Sequence, residues 1–190
     1  MTKQELRKNI RLLRQEFVSK PLFWNEINPK HFTTPLAPYL GGGCVVAGYV
    51  AIGSETPVTN ILEWAVVGGC RIALPYIANR DSQIEFRRWI PGEELGVAPF
   101  GFQQPLPGSA TTSPDIILTP LIGFDRALNR LGQGAGHYDR AFARWPSALR
   151  IGIAWSVQEI ACIPTDPWDL PLDAVLTQRE WIIGPTGRIQ

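Results

Sequence analysis

Short apolar runs of strand length constrain the fold of this 190-residue chain more than any other feature. They lie at residues 44–52, 70–77, 116–120, 149–155 and 174–177. Strands that are apolar along nearly their whole length suit a sheet that is covered on both faces, as in parallel α/β proteins. Residues 84–90 instead alternate apolar and polar side chains, which is typical of an outer or antiparallel strand.

Helical patterns fill the segments between these runs. An N-terminal helix is predicted over residues 3–18, and its apolar face is formed by Leu6, Ile10, Leu13 and Phe17. Further helices are predicted at residues 58–66, 137–145 and 157–162, and a weaker pattern covers residues 29–40. We therefore predict a single α/β domain over residues 1–190, with three layers, a largely parallel central sheet and an N-terminal helix.

Residues 91–114 interrupt this alternation, because they are rich in glycine and proline. They are predicted to form a long surface excursion, and loops of that length in compact domains are often functional. A disordered insertion is the alternative interpretation.

The composition limits the classes of partner. A net charge of +1 argues against broad nucleic-acid binding, because that function calls for a basic face. No apolar segment reaches the roughly 20 residues of a membrane span, and no signal-peptide core follows the basic start, so we expect a soluble, cytoplasmic protein. Cys44, Cys70 and Cys162 are odd in number and far apart, which argues against a disulfide framework or a zinc site.

A glycine-rich segment after the third apolar run carries the strongest functional signal. Three glycines alternate ahead of the predicted helix 137–145: Gly132, Gly134 and Gly136. Alternate glycines let backbone N–H groups converge on an anion, and the start of a helix adds further unpaired donors. The segment is neither a Walker loop nor the dinucleotide fingerprint, which requires glycine where this chain has His137.

Charged residues flank these glycines. Asp125, Arg126 and Arg130 precede them, and Asp139 follows. Because the guanidinium group matches phosphate geometry, the segment predicts a loop that binds a phosphate-bearing ligand. A flexible solvent loop is the alternative. We also expect three loops to meet at the carboxyl edge of the sheet, where such folds bind ligands: residues 53–57, 123–139 and 169–173.

The same residues resemble those of a known family. Pro120-Leu-Ile-Gly-Phe-Asp125, followed by Asn129-Arg-Leu-Gly-Gln-Gly-Ala-Gly-His-Tyr-Asp139, is similar to the signature of the 5-formyltetrahydrofolate cyclo-ligases, also called 5,10-methenyltetrahydrofolate synthetases. Three further segments agree with the family in order and spacing: Lys3-Gln-Glu-Leu-Arg7, Val50-Ala-Ile-Gly-Ser-Glu55 and Pro171-Leu-Asp173-Ala-Val. The resemblance spans nearly the whole chain.

This resemblance implies an enzyme that uses ATP and Mg²⁺ to close 5-formyltetrahydrofolate into 5,10-methenyltetrahydrofolate. In the family, ATP is thought to phosphorylate the formyl oxygen, after which nitrogen 10 of the folate attacks the activated carbon and phosphate departs. Such a transfer requires charge neutralisation and alignment more than a protein nucleophile. The implied partners are ATP and a reduced folate, with no nucleic acid or membrane, and we expect a monomer.

The resemblance also assigns roles to individual positions. The implied ATP-binding residues are Lys3, Arg7, Arg130, Leu131, Gly132, Gln133, Gly134, Ala135, Gly136, His137 and Tyr138. The implied folate-binding residues are Val50, Glu55, Gln133, Gly134, Ala135, Gly136 and His137. The implied catalytic residues, near the transferred phosphoryl group, are Arg130, Gln133 and His137. Asp139 and Asp173 would hold Mg²⁺, a role that suits hard carboxylate oxygens.

Each assignment has a structural alternative. Asp139 could be a first-turn helix carboxylate favoured by the helix dipole, and Glu55 could cap the following helix. Asp173 could close a turn after Pro171. Lys3 and Arg7 could be ordinary solvent-exposed charges.

Two positions depart from the family pattern. The family usually has Gly-Tyr-Tyr-Asp where this chain has His137, whose smaller ring can become charged near neutral pH. Ala135 replaces the usual Gly or Lys, which is tolerable only if that residue does not need a positive φ. An active cyclo-ligase is the leading function. A folate- or nucleotide-binding relative without turnover is the second, and His137 favours it. A sugar-phosphate or CoA enzyme is the third, but it would leave Glu55 unexplained.

Overall fold

The computed structural model describes residues 2–20, 33–79, 82–184 and 187–189. Within these ranges the α-helices are α1 (Lys3–Val18), α2 (Thr59–Val67) and α3 (His137–Arg144), with 3-10 helices at Thr34–Tyr39 and Ser156–Gln158. The strands are β1 (Val45–Ala47), β2 (Arg71–Tyr76), β3 (Glu85–Arg88), β4 (Gly96–Val97), β5 (Gln103–Gln104), β6 (Ile116–Pro120), β7 (Gly123–Phe124), β8 (Arg130–Leu131), β9 (Leu149–Ile153), β10 (Ala174–Leu176) and β11 (Trp181–Ile183). None of the helices in the described part of the chain is long and apolar enough to cross a membrane.

A seven-stranded sheet forms the centre of the fold, in the order β11-β10-β9-β6-β1-β2-β3. Neighbouring strands from β10 to β2 run parallel, whereas β3 and β11 form antiparallel edges. The predictions of a largely parallel sheet and of an antiparallel outer strand within residues 84–90 are therefore confirmed. The sequence pattern does not predict β11, because a strand of 3 residues is too short to show a periodicity.

Successive residues of the strands feed two apolar cores, one on each face of the sheet. Val46 and Ile72 pack into the core that contains Ile61 of α2. Val45 packs into the other core, which contains Phe142 of α3. Full burial of one such side chain stabilises the fold by about 1.5–3 kcal/mol. Helices thus cover both faces, as the predicted three-layer arrangement requires.

The buried face of α1 differs from the predicted one. Leu6 and Ile10 are buried as expected, but Leu13 is 45% exposed and Arg14 is only 6% exposed. Residues four apart lie on one helical face, so Arg14, rather than Leu13, continues the row that begins at Leu6. A charged side chain therefore occupies an interior position of this helix.

Several elements are shorter than predicted. The strand expected at residues 44–52 ends at Ala47, beyond which Gly48 keeps one backbone hydrogen bond to Ala73 of β2. The helix expected at residues 157–162 shrinks to one 3-10 turn, because the Ile160 N–H donates to the Phe124 carbonyl (2.8 Å) and draws the chain away.

The helix expected at residues 29–40 is only partly testable, because residues 29–32 lie outside the described residues. The remainder is the 3-10 helix Thr34–Tyr39, which contains Pro38. Proline lacks the N–H that a continuing α-helix needs, which explains the tighter and shorter element.

Residues 91–114 are more ordered than a surface excursion. They contain the β4–β5 hairpin, whose Gln104 is buried and accepts a hydrogen bond from the Ile77 N–H (2.9 Å) at the end of β2. Phe102 packs against the core on the α3 side of the sheet. The alternative of a disordered insertion is therefore wrong, and the segment supplies part of the wall of the candidate site.

Candidate functional site

The carboxyl ends of the parallel strands open into a cavity of about 1000 Å³. That volume lies at the upper end of the range for small-molecule sites. Tyr49 and Glu55, which follow β1, line it together with Pro75 of β2 and Pro120 at the end of β6. The glycine-rich segment and Asp169 form the opposite wall, so the three loops that were expected to converge do meet here.

The structure brings nearly all the sequence-predicted site residues to this cavity. Those that line it are Lys3, Arg7, Val50, Glu55, Arg130, Leu131, Gly132, Gln133, Gly134, Ala135, Gly136, His137, Tyr138 and Asp139. Asp173 is the predicted residue that does not. The ligand assigned to each of these residues remains a prediction.

A short hairpin, β7–β8, holds the start of the glycine-rich segment. Asp125 is buried in its turn and accepts hydrogen bonds from the backbone N–H groups of Ala127, Asn129 and Ile163, each at 3.0 Å. Arg126 points to the surface, where it pairs with two glutamates. Asp125 therefore shapes the turn, and neither residue contributes directly to the cavity.

Residues 132–136, called the glycine loop from here on, have the backbone geometry of an anion cradle. Gly134 has a φ of +110° and Gly136 a φ of +64°, and both angles disfavour side chains. Gly136 is the N-cap of α3 and gives it no side-chain hydrogen bond, so the first N–H groups of α3 are free to serve a ligand. Ala135 is not among the described residues with positive φ, so its methyl group is tolerated.

Arg130 and Asp139 form an ion pair at the base of the glycine loop. The Arg130 Nη2 donates to Asp139 Oδ1 at 2.7 Å, and the arginine side chain is only 6% exposed. The Arg130 Nε is buried without a hydrogen-bond partner in the described part of the protein. Asp139 also lies in the first turn of α3, so the helix-dipole alternative and the site interpretation hold together. The ion pair therefore holds the buried guanidinium of Arg130 beside the glycine loop.

His137 is half-buried at the mouth of the cavity. Burial lowers its pKa, and the neighbouring Arg140 guanidinium lowers it further. Arg140 has only donors, so it donates to the His137 Nδ1 (3.1 Å) and the ring proton sits on Nε2. The ring meets Phe100 edge-on, with 5.9 Å between centroids. The histidine is therefore neutral at pH 7 and presents an uncharged donor.

Two cations of α1 reach the cavity, so they are not merely solvent-exposed charges. Lys3 Nζ donates to Asp166 (2.6 Å) and Asp169 (2.8 Å). Burial lowers the pKa of Lys3, but these hydrogen bonds outweigh it and the pKa is raised overall. Arg7 Nε donates to the Gly132 carbonyl at 2.8 Å, which ties the helix to the glycine loop.

Glu55 lies across the cavity in the 53–57 loop. Burial raises the pKa of its carboxyl group, while the Ile52 N–H, which donates to Oε2 at 3.0 Å, and the charge of Arg14 oppose that shift. The side chain of Gln133 in the glycine loop also lowers the pKa of Glu55. The N-terminus of α2 has no side-chain cap, so the alternative in which Glu55 caps that helix is wrong.

The pairing of Asp139 with Asp173 at a metal requires correction. Asp173 is 1% exposed and accepts hydrogen bonds from the Arg150 N–H (2.9 Å) and from Arg188 Nη1 (3.1 Å). It precedes β10 and therefore lies at the amino edge of the parallel sheet, opposite the cavity. Among the described residues, no group of three or more His, Cys, Asp and Glu side chains could hold a metal ion.

The sequence pattern does not identify Asp166 and Trp168 as cavity residues, and it places Asp169 in the 169–173 loop without giving it a role. Asp166 and Asp169 line the wall beside Lys3, and Trp168 lies between them with 70% exposure. The pattern of two aspartates three residues apart, in the segment before the last parallel strand, could have indicated these cavity residues. Arg11 does not line the cavity, but it donates to the side chain of Gln133, which does.

Comparisons with known proteins agree with this geometry. Residues 2–178 match the 5-formyltetrahydrofolate cyclo-ligase family. The chain belongs to the 5-formyltetrahydrofolate cyclo-ligase family. The cyclo-ligase of Mycolicibacterium smegmatis is 31% identical over 150 residues, which cover 74% of this chain and 77% of that protein. The cyclo-ligase of Haemophilus influenzae is 36% identical over 97 residues, or 48% of this chain and 52% of that protein.

Solved structures of 5,10-methenyltetrahydrofolate synthetases share the fold. The Aquifex aeolicus protein superimposes with a TM-score of 0.79 at 28% identity, covering 98% of this chain and 95% of that one. The Mycoplasma pneumoniae protein gives a TM-score of 0.71 at 26% identity, covering 94% and 99%. The family resemblance seen in the sequence is thereby confirmed, and this chain is an enzyme of the cyclo-ligase class.

Proposed function

We propose that the protein uses ATP to cyclise 5-formyltetrahydrofolate to 5,10-methenyltetrahydrofolate, with release of ADP and phosphate. One observation carries this proposal: the glycine loop with its cations and the carboxylate of Glu55 face the same cavity of about 1000 Å³. That space suits two ligands held with their reacting groups together. Family membership supports the general reaction.

ATP would bind at the end of the cavity formed by α1 and the glycine loop. Lys3, Arg7 and Arg130 supply positive charge there, and the loop N–H groups and the start of α3 supply donors. The ion pairs of Lys3 with Asp166 and Asp169 would loosen as phosphate oxygens compete for its ammonium group. Lys3 would therefore exchange its two carboxylate partners for phosphate oxygens of the nucleotide.

The reduced folate would occupy the side lined by Val50 and Glu55. An ionised Glu55 would accept hydrogen bonds from N–H groups of the pterin, and Gln133, which lines the same cavity, would lie between the two ligands. This arrangement would align the formyl oxygen with the terminal phosphoryl group held by the glycine loop.

The chemistry follows from the weakness of the formyl oxygen as a leaving group. Transfer of the terminal phosphoryl group to that oxygen gives ADP and an activated carbon. Nitrogen 10 of the folate attacks this carbon and loses its proton, the C–O bond breaks, and inorganic phosphate leaves with the oxygen. Arg130 and the loop N–H groups stabilise the transferred charge, and the neutral His137 donates a hydrogen bond near it.

Mg²⁺ is compatible with one protein carboxylate rather than two. Mg²⁺ is usually held by one or two carboxylates together with waters and substrate phosphates, so Asp139 at the loop base fits this role. Asp173 does not fit, because it faces the other edge of the sheet. When bound, the ion would neutralise phosphate charge, while Arg130 keeps the Asp139 carboxylate oriented.

The test is a direct assay of product formation. Purified protein is incubated with 5-formyltetrahydrofolate, ATP and Mg²⁺, and the near-ultraviolet absorbance of the methenyl product is followed. We expect turnover that depends on all three components. Tight folate binding without product would refute the proposal and support a binding protein instead.

The binding-only alternative depends on His137, which replaces a family tyrosine. Its pKa is lowered by burial, so the ring is neutral at pH 7 and keeps a hydrogen-bond donor, as tyrosine does. The position therefore still offers an uncharged hydrogen-bond donor, as a tyrosine would, and the enzyme is the function that the geometry supports best.

A further inference from the structure

A buried arginine links α1 to the folate side of the cavity. The Arg14 side chain is only 6% exposed, and it does not line the cavity itself. Its Nε donates to Ser54 Oγ (2.9 Å), and its Nη1 donates to the Leu121 carbonyl (3.3 Å) just beyond β6. Burial of a guanidinium is costly unless the group is paired and hydrogen-bonded, and burial lowers the pKa of Arg14 here.

The charged group that partly offsets this cost is the carboxylate of Glu55. Arg14 and the carboxylate of Glu55 attract one another electrostatically, and Ser54, which Arg14 contacts, immediately precedes Glu55 in the chain. The attraction opposes the effect of burial on Glu55 and favours its ionised form. Ionised Glu55 is the form that can only accept hydrogen bonds.

The 53–57 loop does not depend on Arg14 for its backbone position. The indole N–H of the buried Trp155 donates to the Ser54 carbonyl at 3.1 Å. The Tyr49 hydroxyl donates to the Thr56 carbonyl at 2.6 Å. Arg14 therefore adds charge and side-chain orientation to a loop that other contacts already hold.

We propose that Arg14 is a positioning residue for the folate: it fixes the side chain of Ser54 and places a positive charge close to Glu55, the next residue along the chain. The inference rests on the proposed function for the identity of the ligand. It predicts that Arg14 acts through Glu55 and affects folate binding rather than ATP binding.

The test measures binding of 5-formyltetrahydrofolate by equilibrium dialysis without ATP, and the KM for ATP separately. Arg14→Gln should weaken folate binding by about tenfold or more, because it removes a charge-assisted contact and a charge. Arg14→Lys should recover most of the affinity. The matched control is Lys8→Gln, which removes an exposed charge from the same helix and should leave both constants within about twofold.

A double-mutant cycle separates this role from a merely structural one. In a Glu55→Gln background, Arg14→Gln should weaken folate binding by less than about twofold, because the group through which it acts is gone. If the losses of folate affinity in the two single variants multiply in the double variant, the inference is overturned. A rise in the KM for ATP as large as the loss of folate affinity in Arg14→Gln would also overturn it. If Arg14→Gln does not fold, Ser54→Ala removes the hydroxyl that Arg14 contacts and should weaken folate binding in the same direction.

The pH profile gives a second readout. Glu55 faces Arg14 from α1, Tyr49 after β1, Tyr138 of α3 and Gln133 of the glycine loop, and Arg14 is the cation among them. Loss of Arg14 should move the low-pH decline of folate affinity to higher pH. An unchanged profile would contradict the inference.

The two proposals fail in different ways. Wild-type protein that binds folate but makes no methenyl product refutes the proposed function and leaves the Arg14 experiments interpretable. Wild-type protein that does not bind folate refutes both.

Discussion

Replacement of Gly134 by alanine tests whether the glycine loop binds ATP. Gly134 has a φ of +110°, a conformation that costs a residue with a side chain about 1–3 kcal/mol. The added methyl group would lie 3.5 Å from the Arg7 guanidinium, an ordinary contact, so the cost is conformational rather than steric. The loop relieves this strain by moving its N–H groups. A loss of 1–3 kcal/mol corresponds to about 5- to 150-fold weaker ATP binding.

The assay is the KM for ATP, combined with folate binding measured without nucleotide, which should stay within about twofold. Gly69→Ala is the matched control, since Gly69 has a φ of +85° at the end of α2, in open space and away from the cavity. It should lower the unfolding temperature without affecting ATP. If Gly134→Ala destabilises the protein as Gly69→Ala does and leaves the KM for ATP unchanged, the loop is not an ATP site.

Three further predictions concern charged or titrating groups of the cavity. Asp139→Asn should lower kcat by about 10²-fold or more. The control Asp173→Asn should reduce thermal stability and leave kcat near wild type. If the two variants have equal kcat values, Asp139 does not belong to the site. His137→Tyr should maintain or raise kcat. A large fall in kcat would mean that the histidine has a role in this chain that the family tyrosine cannot replace. Burial raises the pKa of Glu55, so folate affinity should decline as pH falls through a value above that of an ordinary glutamate. Glu55→Gln should abolish this pH dependence of dialysis binding and stabilise the fold at neutral pH, a gain that disappears below the ordinary glutamate pKa.

The fold was largely predictable because its strands are covered on both faces. Continuous apolar runs such as that around β6 leave little choice but a parallel sheet between helices. The glycine loop was predictable for a related reason, since the positive φ of Gly134 and Gly136 restricts those positions to glycine. Both features express local constraints that the residue types reveal directly.

The errors concern residues whose positions depend on tertiary packing. The predicted apolar face of α1 included Leu13 and omitted Arg14, because apolar periodicity cannot show that a charged side chain is buried by tertiary packing. Asp173 was assigned to the site although it immediately precedes β10. A residue at the amino end of a parallel strand lies opposite the ligand-binding edge, so strand direction could have excluded it. Asp169, four positions earlier, does reach the cavity.

The most direct test of the account follows the formyl oxygen itself. 5-Formyltetrahydrofolate labelled with ¹⁸O in the formyl group is converted by the wild-type protein in unlabelled water with ATP and Mg²⁺, and the released phosphate is analysed by mass spectrometry. If ATP phosphorylates the formyl oxygen, one ¹⁸O appears in each phosphate molecule. Product formation with unlabelled phosphate would contradict the account.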